Sequence, residues 1–322
     1  MSDVLEYIFG VVIFPALVAS LIALVVAVFA APVWPFRSRA SETEGLVGFA
    51  LMLACVMSFA QDLGWNAIIR QFMAIQGDDT PIEKWHRLGA MAAIVALGAP
   101  LLAFVRERAP KRWGRELSIG VSLKTAFLLA TLVSFPGSSP GWAVAQGFLA
   151  VASTAAFSLG ARDVPLWSAW ITFAVLSAMA MLGGFASLAV LCGAVSAAAF
   201  GVATVYAILP RLKSGVEPVP VGGAIGLALG LLATAVAHCG RAYDTTGTPP
   251  WMWMVVPVLP AGALLLGRWA AKAKTPARAK LWRVAGVAFF AGVLLVVLAL
   301  SQGGKESSGG PSDDELKQMY GG

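Results

Sequence analysis

Lys124 is the residue in this chain best able to do chemistry in an apolar setting. It interrupts the apolar run 117–135 and is the one charged residue well inside such a run. It lies about 10 Å along a helix begun at Leu117, at 1.5 Å rise per residue. A cation buried near the bilayer midplane costs at least about 2.5–3.5 kcal/mol, so it is expected to face the interior of a helical bundle or a wet cavity. Ser122, Thr125 and Gln146 are the polar side chains expected to join it there. Such a lining would bind an anionic or carbonyl-bearing solute, or relay a proton. A retinal Schiff base fits poorly, because no carboxylate is read at depth to act as counter-ion. Glu6, Asp62, Glu116 and Asp163 all sit at the ends of apolar runs. Ion-driven pumps rely on buried carboxylates, so this pattern weighs against one.

The other chemistry-bearing residues give less. His86 and His238 fall at the ends of the third and eighth apolar runs, and two imidazoles at one level are a weak candidate for a metal or haem iron. The simpler reading sets them at the interface beside Trp85 and Arg241. Cys55, Cys192 and Cys239 form no CxxC or Cys/His cluster, so neither a disulfide framework nor a zinc site is expected. Nucleophile motif, phosphate loop and HExxH are all missing from the sequence, which argues against an enzyme and for no cofactor.

These residues must be positioned by membrane helices. The 322 residues are 58% hydrophobic and only 12% charged, with mean hydropathy +0.79. A soluble domain carries about a quarter charged residues, and a disordered chain is poor in apolar ones. The fold class expected is all-α: a polytopic membrane bundle over 1–301 and a flexible tail over 302–322. Ten runs approach the length of a span, at 7–31, 45–62, 88–105, 117–135, 142–160, 164–182, 185–209, 221–238, 251–267 and 284–301. Gly183-Gly184 supplies the turn that divides 164–209 in two. The first run follows Asp3 and Glu6 rather than a basic stretch, which predicts a retained span and not a secretory signal. Every tryptophan falls in a connection or near the end of a run, the level such rings prefer.

Charge sets the expected orientation. The net charge is +6, and the basic residues gather in short connections, with no basic domain to hold nucleic acid. Sixteen of the 23 Lys and Arg residues lie in odd-numbered connections, chiefly Arg106 to Arg115 in the third and Arg268 to Arg283 in the ninth. Six lie in even-numbered connections and at the two ends. Odd connections are therefore expected on the cytoplasmic side and both termini outside, in a bacterial inner membrane. Within the connection 63–87, Ile68, Ile69, Phe72 and Met73 predict a short surface helix.

Partners are the bilayer and a membrane protein or second copy. Gly222, Gly226 and Gly230, and likewise Gly193, Ala197 and Gly201, lie four apart and predict close helix packing. In the tail, Ser312-Asp313-Asp314-Glu315 is a capping-box pattern that predicts a short helix over 312–320. Ser312, Glu315 and Tyr320 are its candidate docking residues. The function expected is transport of a small solute through the bundle; the alternative is a non-catalytic subunit of a larger membrane complex.

Overall fold

The structure is a computed structural model, which describes residues 2–28, 39–66, 68–69, 84–109, 114–133, 139–159, 164–212 and 222–303. Among the described residues there are ten long helical runs and no strand. We number them α1 (2–28), α2 (Arg39–Leu63), α3 (Arg87–Arg108), α4 (Gly114–Leu132), α5 (Pro140–Ser158), α6 (Val164–Leu182), α7 (Ala186–Leu212), α8 (Gly223–Tyr243), α9 (Pro250–Ala271) and α10 (Pro276–Gly303). Eight are long and apolar enough to cross a membrane. The two that fall short are α4 and α5. Arg115, Glu116 and Lys124 lower the hydropathy of α4, and Gln146, Ser153, Thr154 and Ser158 that of α5. Large apolar side chains such as Leu97, Leu101, Phe148 and Leu300 cover the outside. A surface of this kind suits lipid rather than water, and the architecture is that of an α-helical membrane bundle.

α8 is the axis of the bundle. Residues 223–240 are buried without exception, and α2, α3, α4, α5, α6 and α9 pack around the helix. The sequence explains the position: glycine and alanine at short intervals let neighbours close on the helix from every side. The turn between α6 and α7 falls at Gly183-Gly184, where Gly184 takes φ +80°, open to glycine at little cost. Ser177 Oγ donates to the Ala189 carbonyl (2.7 Å) and Ser196 Oγ to the Trp170 carbonyl (2.8 Å), pinning the hairpin.

α9 is not a regular helix. Pro257 and Pro260 take backbone donors out of the ladder, and Val256–Ala261 tightens to a 3-10 helix. The Pro257 carbonyl accepts a hydrogen bond from Ser153 Oγ of α5 (2.7 Å). Side chains of neighbouring helices commonly satisfy such freed carbonyls in membranes. α1 carries a π turn at Phe9–Ile13, just before Pro15. Its Tyr7 hydroxyl donates to Asp62 at the far end of α2 (2.5 Å).

In the connection 63–87, Ile68 is buried and Ile69 exposed, while Phe72 and Met73 lie outside the described residues. So do residues 304–322, with the expected helix 312–320 and Ser312, Glu315 and Tyr320.

Candidate functional site

One face of α5 repeats every four residues: Trp142, Gln146, Ala150, Thr154 and Ser158. That spacing is one row along a helix. The facing row of α8 is Gly226, Gly230, Thr234 and His238, running the other way. Contacts fix the register. A Cβ added to Gly226 would collide with Ser158 Oγ, and one added to Gly230 would collide with the backbone of Thr154. At the other end the rings of Trp142 and His238 meet edge to face, centroids 6.3 Å apart. The glycines thus bring α5 and α8 into close contact along a seam of polar side chains.

Most of those polar groups have no hydrogen-bond partner among the described residues. Gln146, Thr154, Ser158 and His238 are each at most 2% exposed. Gln146 Nε2, Thr154 Oγ1, Ser158 Oγ and His238 Nε2 have no hydrogen-bond partner. Ser118 Oγ, on α4 beside the start of α8, is in the same state. A buried polar atom without a partner costs about 1–3 kcal/mol. Gln146 to Ser158 is about 18 Å of helix, more than half a hydrocarbon core of about 30 Å.

Each end of the seam carries charge. At the end nearest the odd-numbered connections, Glu44 of α2 is fully buried and accepts from the backbone N–H of Ala224 (2.9 Å), in the first turn of α8. A carboxylate there answers the positive end of the helix dipole. Arg106 of α3 pairs with the same carboxylate. Gly222 leaves room for Glu44, and Gly223 for Ser122 and the Ser118 carbonyl. Next to Arg106, both carboxylate oxygens of Glu107 are buried with no hydrogen-bond partner among the described residues. At the other end the guanidinium of Arg241 sits 4.0 Å over the Trp142 ring. Asp244, just past α8, accepts from Thr246 N–H (2.8 Å), Thr246 Oγ1 (2.8 Å), Thr248 N–H (3.1 Å) and Trp253 Nε1 (3.1 Å). Burial works against its charge, but the hydrogen bonds outweigh burial and hold the carboxyl below its ordinary range.

The polar lining expected around Lys124 does not assemble. Lys124 is exposed on the outer face of α4, whereas Ser122 is buried on the inner face and donates to the Ser118 carbonyl (2.7 Å). Two residues are about 200° of helix, so the two side chains point opposite ways. Thr125 is half-buried, and Gln146 faces the seam instead. The expectation that acids stay at the ends of runs missed Glu44 and Glu107. The glycine row 222–226–230 packs within the protein, against α2 and α5. Gly193 and Gly201 do not share a neighbour: an added Cβ would meet Ser177 of α6 in one case and Ser20 of α1 in the other, with Ala197 half-buried between them.

His86 meets Phe59 and Trp85 edge to face, whereas the ring that meets His238 is Trp142. Among the described residues no three His, Cys, Asp or Glu side chains gather as metal ligands. Cys55, Cys192 and Cys239 are all buried.

No family model, curated protein or solved structure matches the chain. The reading of this membrane bundle therefore rests on its own geometry. The seam offers donors and acceptors in an apolar, tightly closed interface. It can solvate a small polar guest once α5 and α8 part, and it has no deep charge to trap one.

Proposed function

We propose that this chain is a multi-pass, transporter- or channel-like membrane protein that passes a small, uncharged, hydrogen-bonding solute along the α5–α8 seam. The observation that carries the reading is the row of unpartnered buried polar atoms from Gln146 to Ser158, faced by His238 and by glycines. Closed, the seam buries these atoms without protein partners; opened and filled, each of them gains one. The Glu44–Arg106 pair stands at one mouth and the Trp142–Arg241 stack at the other. The skew of basic residues toward odd-numbered connections supports a cytoplasmic Glu44–Arg106 mouth and periplasmic termini, in a bacterial inner membrane.

Proteoliposomes test the conduit by stopped-flow light scattering in glycerol and urea gradients. The wild-type chain should speed solute entry over empty vesicles. Thr154→Val and Ser158→Ala, which strip the polar lining without disturbing a hydrogen bond, should slow it toward the empty-vesicle rate. Equal rates in wild type and both variants would remove the seam from the path. A reporter enzyme active only in the periplasm, fused after Gly322, should be active; activity of a cytoplasm-only reporter there reverses the orientation.

A second reading, a subunit of a larger membrane complex, draws on a different observation: the outward position of Lys124.

A further inference from the structure

We propose that the outer face of the α4–α5 hairpin binds a transmembrane helix of a different protein, one that carries a carboxylate at mid-depth to pair with Lys124. This stands independently of the conduit. Lys124 lies ten residues after Gly114 and eight before Leu132, so about 15 Å and 12 Å from the ends of α4. It is exposed, and no ion pair engages it among the described residues. A lysine near a helix end reaches the headgroups along its own stem, but one at the centre of the helix is too far from either end. A cation held on the outer face at that depth needs a counter-charge brought to it.

The surroundings fit a helix. Lys124 opens into a hollow of about 410 Å³, lined also by Leu123, Phe127, Leu128 and Val151. Phe127, which lines it, meets Phe148 of α5 edge to face, centroids 5.4 Å apart. One turn before Lys124, Gly120 has open space where a Cβ would stand, so another backbone can come close. Apart from Lys124 the hollow is apolar, so the cation is the one group in it that lipid tails serve poorly. A second copy docked by this face would set its own Lys124 against the first, so the complementary charge belongs to another chain. A lipid phosphate lies at headgroup level, beyond the reach of a central lysine.

The test uses the full chain in phosphatidylcholine vesicles with a labelled single-span Leu/Ala helix bearing one central Asp, and energy transfer as the readout. The Asp helix should associate at least about thirtyfold more tightly than the same helix with Leu at that position, the loss typical when one partner of a desolvated pair is removed. Lys124→Leu should erase that difference and Lys124→Arg keep it. Lys124→Glu should transfer the preference to a helix bearing a central Lys. Equal association of the Asp and Leu helices with the wild-type chain overturns the proposal, as does a preference that survives Lys124→Leu. If the Asp preference is missing and Lys124→Leu instead lowers retention of phosphatidylglycerol in native mass spectra, the cation serves a lipid and the proposal falls. Solute flux through the seam is unaffected by any of these outcomes.

Discussion

The two ends of α8 are secured in opposite ways. The start of the helix is held by Glu44, 180 residues away in sequence, and by Arg106 from a third helix. The end of the helix is held by Asp244, whose four bonds come from residues no more than nine positions on. The first arrangement survives only while α2, α3 and α8 stay together. The second is a local turn, tied also to the α6–α7 turn where Thr245 N–H and Oγ1 donate to the Gly183 carbonyl (3.3 and 3.1 Å). A seam that must open is therefore expected to part at the Glu44–Arg106 end and pivot about the Asp244 end.

The largest effect should come from breaking the charged end. Arg106→Ala takes the Arg106 guanidinium away from a fully buried Glu44 carboxylate that also accepts from the Ala224 N–H. Removing one member of a buried pair costs about 3–5 kcal/mol, mostly as the penalty of the charge left behind. Thermal unfolding in mild detergent should show that loss, and Glu44→Gln added to Arg106→Ala should recover most of it. A double variant no more stable than Arg106→Ala alone would mean that the carboxylate is not charged there.

Next are the glycines that close the seam. A Cβ at Gly230 meets the backbone of Thr154, which has no room to yield. At Gly226 the first obstacle is the Ser158 hydroxyl, although the Thr154 carbonyl is also only 3.0 Å away. Overpacking costs about 1–3 kcal/mol where neighbours shift. Gly230→Ala should therefore lose more stability than Gly226→Ala in the same unfolding assay. Ser158→Ala should rescue part of the Gly226→Ala defect and none of the Gly230→Ala defect.

That seam was largely legible before any fold was known, though its meaning was not. Gln146, Thr154 and Ser158 repeat in steps of four and eight, and Gly222, Gly226 and Gly230 in steps of four; each row is a face. What a linear string lacks is the pairing of those faces, because the α5–α8 contact spans some eighty residues. Lys124 misled for a related reason. Depth along a helix follows from position in a run, but direction follows from the packed face. Ser118, Ser122, Ala126 and Ala130 are a row of small buried residues that marks that face, and Lys124 lies on the opposite side. In lipid the small, polar side of a helix turns inward, and that signal was present. Glu44 and Arg106 were hidden differently: at the margins of apolar runs they look like loop charges, and only the convergence of three helices makes them a buried pair. The tight turn at Gly183-Gly184, in contrast, is local and was read directly.

The Asp244 end predicts a smaller and pH-dependent effect. Asp244→Asn replaces one accepting oxygen with a donor, which takes the partner from either the Thr246 pair or the Thr248 and Trp253 pair. The cost should be about 1–3 kcal/mol, with a change in Trp253 fluorescence. The folded carboxyl lies below its ordinary value, so the folded state binds the proton less readily than the unfolded chain. Its stabilisation is then complete above an unfolded carboxyl value of about 3.9 and lost as pH falls through the lower folded value. Acid unfolding of the wild type should contain this component, and the Asp244→Asn variant should lack it.

The smallest effect on stability is the most telling for function. Ser153 and Ser158 are both fully buried on α5. Ser153 Oγ donates to the Pro257 carbonyl, whereas Ser158 Oγ finds no partner among the described residues. Ser153→Ala breaks a made bond and should cost about 1 kcal/mol. Ser158→Ala removes a buried hydroxyl that makes no hydrogen bond among the described residues, so the resting protein should unfold at the same temperature or slightly higher. The two serines differ in what they do at rest, and a conduit requires them to differ again when it opens. Ser158→Ala should slow glycerol and urea entry while leaving the fold intact; Ser153→Ala should weaken the fold while leaving entry rates near wild type. If both variants changed flux only in proportion to stability, the unpaired atoms along α5 would be packing accidents and not the lining of a path.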